Sequence, residues 1–220
     1  MGIRLEVWGE YACFTRPEMK VERVSYDVIT PSAARGIIEA IYWHPGMRWI
    51  IDQIQVCNPI RFTNIRRNEV KATASAHVAK QYMEKGSGLM YIDASSQIVQ
   101  RASMLLRDVC YIIDAHFEMT SKQTPGDNPG KFQDIITRRI KRGQFYHQPY
   151  LGCREFPAFF QAPEMEPKCP DELKGERDLG YMLYDMDFSD TDDIHPMFFR
   201  AIMKDGTICV PDRKSGEVIY

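Results

Sequence analysis

The chain has 220 residues, 44% of them hydrophobic, which is enough for one sizeable core or for one domain with a smaller appendage. No apolar run approaches the roughly 18 residues of a membrane span, and the start alternates like a strand rather than a signal peptide, so a cytoplasmic protein with no membrane partner is expected. The net charge of -2 argues against a uniformly basic nucleic-acid binder, yet residues 1–163 carry 21 bases against 16 acids while residues 164–220 carry 7 against 14, so any polyanion surface belongs to the first part.

Residues 3–8 read as a strand. Thr30-Pro31 then opens a helix, with a hydroxyl cap and proline at the first helical position. That helix carries Ala34, Ile37, Ile38 and Ile41 on its apolar side and is expected to stop near Pro45-Gly46. Residues 49–56 are β-branched and apolar enough for a second strand, and residues 104–119 give a third. A basic helix follows, entered at Gly130-Lys131-Phe132. Lys131, Arg138 and Arg142 stack along one stripe of it, beside Arg139, while Phe132, Ile136 and Ile140 stack on the face that would meet a core. Residues 150–160 supply a fourth strand.

The order strand, helix, strand, strand, helix, strand predicts an α+β fold, the ferredoxin-like (RRM-like) split unit with two helices on one face of a four-stranded sheet. Its expected extent is residues 1–162. Between the second and third strands, residues 61–100 form a long polar insertion that includes Arg66 and Arg67. It reads either as a mobile surface loop or as a cationic arm that orders on a phosphate backbone. A linker after Pro163 leads to three further strands at 179–188, 197–204 and 207–211, with Asp205-Gly206 as the last turn, so residues 163–220 are expected to form a small C-terminal β-sheet domain.

Six cysteines are scattered without a C-x-x-C pair, so reduced, mostly buried thiols are expected. His77, His147 and His195 show no ligand spacing, and neither a metal nor another cofactor is expected. The basic stripe, the candidate phosphate contacts Arg35, Arg66, Arg67, Arg138, Arg139 and Arg142, and the Gly152-Cys153-Arg154 turn point to a polyanion. Gly152 permits close backbone approach, and the Arg154 guanidinium can grip phosphate with two donors. An Arg154–Glu155 structural pair is the plainer reading.

The segments Val7-Trp8-Gly9-Glu10-Tyr11-Ala12-Cys13-Phe14-Thr15, Gly36-Ile37-Ile38-Glu39-Ala40-Ile41-Tyr42-Trp43-His44-Pro45, Ala115-His116-Phe117-Glu118, Gly130-Lys131 and Leu151-Gly152-Cys153-Arg154-Glu155 follow one another as they do in a known family. The chain resembles the CRISPR-associated RAMP superfamily and, within it, the Cas-five family of subtype I-C. The resemblance implies a RAMP domain followed by a smaller β domain. It also implies metal-independent cleavage of precursor CRISPR repeat RNA, after which the protein stays with the guide RNA in the type I-C interference complex beside its backbone and large subunits. The family's catalytic tyrosine falls on Tyr42 and its catalytic lysine on Lys131. The next family position is histidine and here it is Phe132, which cannot move a proton. His116 is the first stand-in, and His44, two residues beyond Tyr42, is the second. The alternative is a non-catalytic subunit that holds the 5′ tag of the guide RNA. The same cations also suit duplex DNA, since phosphate attraction does not distinguish the polymers.

Overall fold

The computed structural model describes residues 1–19, 21–190 and 192–220. Strand β1 (Gly2–Ala12) is followed by helix α1 (Pro31–Ile41) and strands β2 (Met47–Val56) and β3 (Phe62–Val70). Helices α2 (Ala76–Lys85) and α3 (Ala94–Gln97) precede the long strand β4 (Ile98–Met119), helix α4 (Pro129–Arg142) and the short strand β5 (Phe159–Gln161). Strands β6 (Glu176–Asp187), β7 (His195–Lys204), β8 (Thr207–Cys209) and β9 (Val218–Ile219) end the chain. The result is a mixed α+β protein built on one antiparallel sheet of nine strands among the described residues, ordered β5-β1-β4-β2-β8-β7-β6, with β3 on β4 and β9 on β7.

Both central helices start as their sequences dictate. Thr30 caps α1 by accepting from the Ala33 N–H at 3.2 Å, and Pro31 occupies the first helical position. Asn128 caps α4 by accepting from the Lys131 N–H at 2.9 Å, again followed by proline. Gly143, at φ 61°, ends α4 in the left-handed region where glycine costs least. Ala34, Ile37, Ile38 and Ile41 of α1 and Phe132, Ile136 and Ile140 of α4 are all buried. They pack on the sheet face formed by Ile113, Ala115 and Phe117 of β4 and by Trp49 of β2. Three apolar side chains at roughly 2 kcal/mol each suffice to hold α4 down.

Several expectations are corrected. Helix α1 stops at Ile41, four residues before Pro45, because Tyr42 is already extended at φ -153°. Residues 61–100 are not a loose loop: β3 pairs with β4 from Phe62↔Leu106 to Val70↔Ile98, making a two-stranded ribbon topped by α2 and α3. The strand expected over 150–160 shrinks to Phe159–Gln161, since Gly152 at φ 82° and a turn between Cys153 and Phe156 bend the chain before it. The strands after residue 163 do not make a sheet of their own, because β8 hydrogen-bonds to β2 and carries β7 and β6 into the main sheet. All six thiols are unbridged, with Cys13 and Cys153 buried and Cys209 exposed. Among the described residues no helix is long and apolar enough to cross a membrane.

Candidate active site

Tyr42 leaves α1 as the helix ends, and its backbone is pinned when its carbonyl accepts the Trp49 indole N–H at 2.9 Å. The ring is 6% exposed, lies 6.1 Å from Phe132 and is covered by the Arg139 guanidinium at 5.1 Å from its centroid. Arg139 also donates to the Ile41 carbonyl, so one of the five cations of α4 is turned inward to seal the helix junction. Burial pushes the Tyr42 phenol above its ordinary range, against the pull of Lys131 and Arg139. It therefore remains a neutral hydroxyl near pH 7, suited to orienting a substrate hydroxyl rather than to acting as a phenolate base.

Lys131 stands in the first turn of α4, half exposed, with its ammonium 2.9 Å from Asp127 Oδ1. Asp127 is nearly covered and also accepts from the Thr124 N–H and the Thr124 hydroxyl, both at 2.8 Å. Those donors, led by the Thr124 N–H and joined by Lys131, hold its carboxyl far below the usual carboxylate range. The loop carrying Asp127 is docked on the Pro45-Gly46 turn. Thr120 donates its hydroxyl to the Pro45 carbonyl at 2.6 Å and its N–H to the Gly46 carbonyl at 3.0 Å. A methyl group on Gly46 would stand 3.1 Å from Gln123 Cα and from His44 Nδ1, so glycine lets the two loops close without displacing either. His44 is thereby brought against Phe132, ring centres 5.0 Å apart, with Nδ1 3.9 Å from Asp127 Oδ2.

Tyr42 and Lys131 are thus brought together, and Asp127, absent from the sequence reading, joins them. Its signal was present: an acid four residues before Lys131, where a helix-spaced pair would form, closing a Thr124-Pro125-Gly126-Asp127 turn. His116 is not part of the group. Ala115 and Phe117 face the helices, so His116 points to the other face of the sheet, where Nδ1 pairs with Asp52 Oδ1 at 2.7 Å.

The arginines divide in two. Arg35 is tied to both Asp185 oxygens at 3.0 and 2.7 Å and to Glu39 at 2.7 Å, so it joins α1 to β6 and is not a free phosphate contact. Arg67 is similarly engaged, donating to Glu155 at 2.8 Å and Glu69 at 2.7 Å. Arg66, Arg138, Arg142 and Arg154 are exposed and, among the described residues, have no carboxylate partner. Glu155 pairs with Arg67 and approaches Arg23, rather than Arg154. At Gly152 an added Cβ would fall 2.0 Å from the Cys13 carbonyl oxygen, so the glycine serves a close approach to the residue that follows β1, with the exposed Arg154 two residues on.

An α+β protein with a tyrosine, lysine, aspartate and histidine at one helix junction, flanked by a basic helix face, has the parts of a phosphodiester-handling site. A family model described as CRISPR-associated protein (Cas_Cas5), Cas_Cas5d, matches residues 2–211. The CRISPR pre-crRNA endoribonuclease Cas5d of Mannheimia succiniciproducens is 48% identical over 221 residues, covering 98% of this chain and 97% of that one. The CRISPR pre-crRNA endoribonuclease Cas5d of Thermus thermophilus is 37% identical over 233 residues, covering 98% and 94%. This chain belongs to the Cas5 family of CRISPR-associated proteins, subtype I-C. Its fold is like that of a crystallised CRISPR-associated protein, with a TM-score of 0.70 at 23% identity, covering 100% of this chain and 97% of the other. A functionally uncharacterized protein of Streptococcus mutans gives 0.69 at 22% identity with the same coverage.

Proposed function

We propose that this chain is an endoribonuclease that binds the repeat hairpin of precursor CRISPR RNA, cuts it without a metal ion, and remains with the guide RNA in a type I-C interference complex. The observation that carries the reading is the convergence of Tyr42, Lys131 and Asp127 beside an exposed basic stripe, in a chain 48% identical to a relative named for that activity. The strand order β5-β1-β4-β2, with α1 and α4 on one face, supports a ferredoxin-like RAMP core over residues 1–162. Residues 163–220 form the β-rich remainder in this reading.

Metal-free cleavage removes a proton from the 2′-hydroxyl as its oxygen attacks phosphorus, spreads charge over the phosphorane, and protonates the departing 5′-oxygen. The products are a 2′,3′-cyclic phosphate and a 5′-hydroxyl. The Lys131 ammonium, steadied by Asp127 yet half exposed, suits the phosphorane charge. The Tyr42 hydroxyl suits alignment of the 2′-oxygen. Arg138, Arg142, Arg66 and Arg154 supply exposed phosphate contacts, whereas Arg35 and Arg67 hold the fold.

A second reading is favoured by Phe132, wholly buried next to Lys131 and unable to carry a proton: a non-catalytic subunit that grips the 5′ tag, with duplex DNA as a further polyanion. One experiment separates them. Labelled repeat hairpin is incubated with the protein in excess chelator, with and without a 2′-deoxy nucleotide at the cut site. Cleavage that persists in chelator and vanishes on the deoxy substrate is expected, and Tyr42→Phe or Lys131→Ala abolishes it while repeat affinity stays within a few fold. Tight binding without product establishes the second reading.

A further inference from the structure

We propose that His44, backed by Asp127, is the group that protonates the 5′-oxygen leaving group, an inference that rests on the site of Tyr42 and Lys131 being the cleavage site. Neither of those two residues is well suited to the step. Tyr42 is 6% exposed beneath Arg139, with its phenol pushed up by burial, and the Lys131 ammonium is committed to the Asp127 carboxylate. An acid works best when its own ionisation lies near the operating pH, and imidazole is the side chain whose ordinary value, about 6.5, meets that condition.

The geometry around His44 provides for both of its charge states. In the neutral state Nδ1 accepts the Gly46 N–H at 3.0 Å, so the ring proton sits on Nε2. In the cationic state Nδ1 carries a proton too and can no longer accept from Gly46. Asp127 Oδ2, 3.9 Å away, then lies within a movement of about 1 Å of ordinary hydrogen-bond distance. The partner for that state is already fixed. Two donors from Thr124 hold Oδ2, Lys131 holds Oδ1, and the carboxyl is nearly covered, so its charge is permanent and weakly screened. Gly46 favours the approach, since a Cβ there would crowd His44 Nδ1 at 3.1 Å and Asp127 Oδ2 at 3.3 Å. Phe132 backs the ring, about a third of the His44 side chain remains open, and among the described residues Nε2 has no hydrogen-bond partner.

The charged and titratable groups near the ring are Asp127 in the loop before α4, Lys131 in the first turn of α4 and Tyr42 just after α1, with Arg139 behind Tyr42. In the step itself the 2′-hydroxyl loses its proton to water as the new P–O2′ bond forms. The P–O5′ bond breaks, and its electron pair takes the proton from Nε2. The ring is left neutral and regains a proton from water before the next turnover, so no oxidant, metal or co-reactant enters.

The test uses the full-length protein, single-turnover conditions and two repeat hairpins, one natural and one with sulfur in place of the 5′-oxygen at the cut site, because a thiolate leaves without protonation. His44→Gln keeps an acceptor for the Gly46 N–H and loses the proton. It is expected to cut the natural RNA about 10²- to 10⁴-fold more slowly and to cut the sulfur substrate within about tenfold of the unaltered protein. Equal slowing on both substrates, or no slowing, overturns the assignment. If Tyr42→Phe and Lys131→Ala abolish cleavage while His44→Gln does not, only His44 is mistaken. If the unaltered protein cuts neither RNA, the endoribonuclease reading falls and this inference with it.

Discussion

Replacing Arg35 by alanine separates a fold-holding arginine from an RNA-holding one. Arg35 makes three hydrogen bonds of 2.7 to 3.0 Å to Asp185 and Glu39, with the Arg35 and Asp185 side chains 21% and 24% exposed. Exposed ion pairs contribute about 0–1 kcal/mol, and breaking a buried one costs about 3–5. This site is mostly covered, and removing the guanidinium leaves Asp185 without its main partner, so a loss of about 3 kcal/mol is expected. For a chain of this length that lowers Tm by about 6–12 °C. The assay pairs thermal unfolding with a salt titration of repeat-RNA affinity. Arg35→Ala should lower Tm by that amount and leave the slope of log affinity against log salt unchanged. A Tm shift below about 2 °C, together with a slope flattened by about one unit, would refute the assignment and return Arg35 to the RNA surface.

Two further outcomes follow from the same surface and its supports. Replacing both Arg138 and Arg142 by alanine should weaken repeat binding and flatten the salt dependence by about one unit of slope for each lost phosphate contact, with Tm nearly unchanged because both side chains are exposed. Gly152→Ala should destabilise the protein by at least about 1–3 kcal/mol in urea unfolding, since φ 82° is strained for alanine and the added carbon meets the Cys13 carbonyl at 2.0 Å.

Sequence periodicity located what the core enforces. The apolar stripes of α1 and α4 are buried as expected, and the strands expected over residues 49–56 and 104–119 lie within β2 and β4. The β3 ribbon escaped the same reading for a physical reason. No residue of β3 is buried, and its two faces mix apolar with charged side chains, so Ile65 shares a face with Arg67 and Glu69 while Phe62 shares one with Arg66. Backbone pairing with β4, half-buried Ile65 and the ion pairs of Arg67 and Glu69 define that strand, and these leave little hydrophobic trace. For α2 the trace existed in its ends, Ser75 as cap and Gly86 at φ 61° after Lys85, rather than in its faces. At the site, Tyr42 and Lys131 were identified through resemblance. Asp127, and the selection of His44 over His116, needed three dimensions: an odd or even position in β4 decides which side of the sheet a histidine serves, and only the docking of two loops shows which histidine approaches Asp127.

Strand β4 has 22 residues, and at about 3.3 Å each it runs roughly 70 Å along its contour. Its Ile98 end belongs to the ribbon, whose top exposes Met83, Leu89 and Tyr91, and its Met119 end opens into the loop that carries Asp127. The one break in its regular backbone is Asp108, at φ 53°, where the strand passes from β3 to the body of the sheet. One continuous strand, kinked at Asp108, therefore links the ribbon to the helix junction. The protein resembles a ruler along this line, with the ribbon's top at one end of a single strand and the loop that leads to Lys131 at the other.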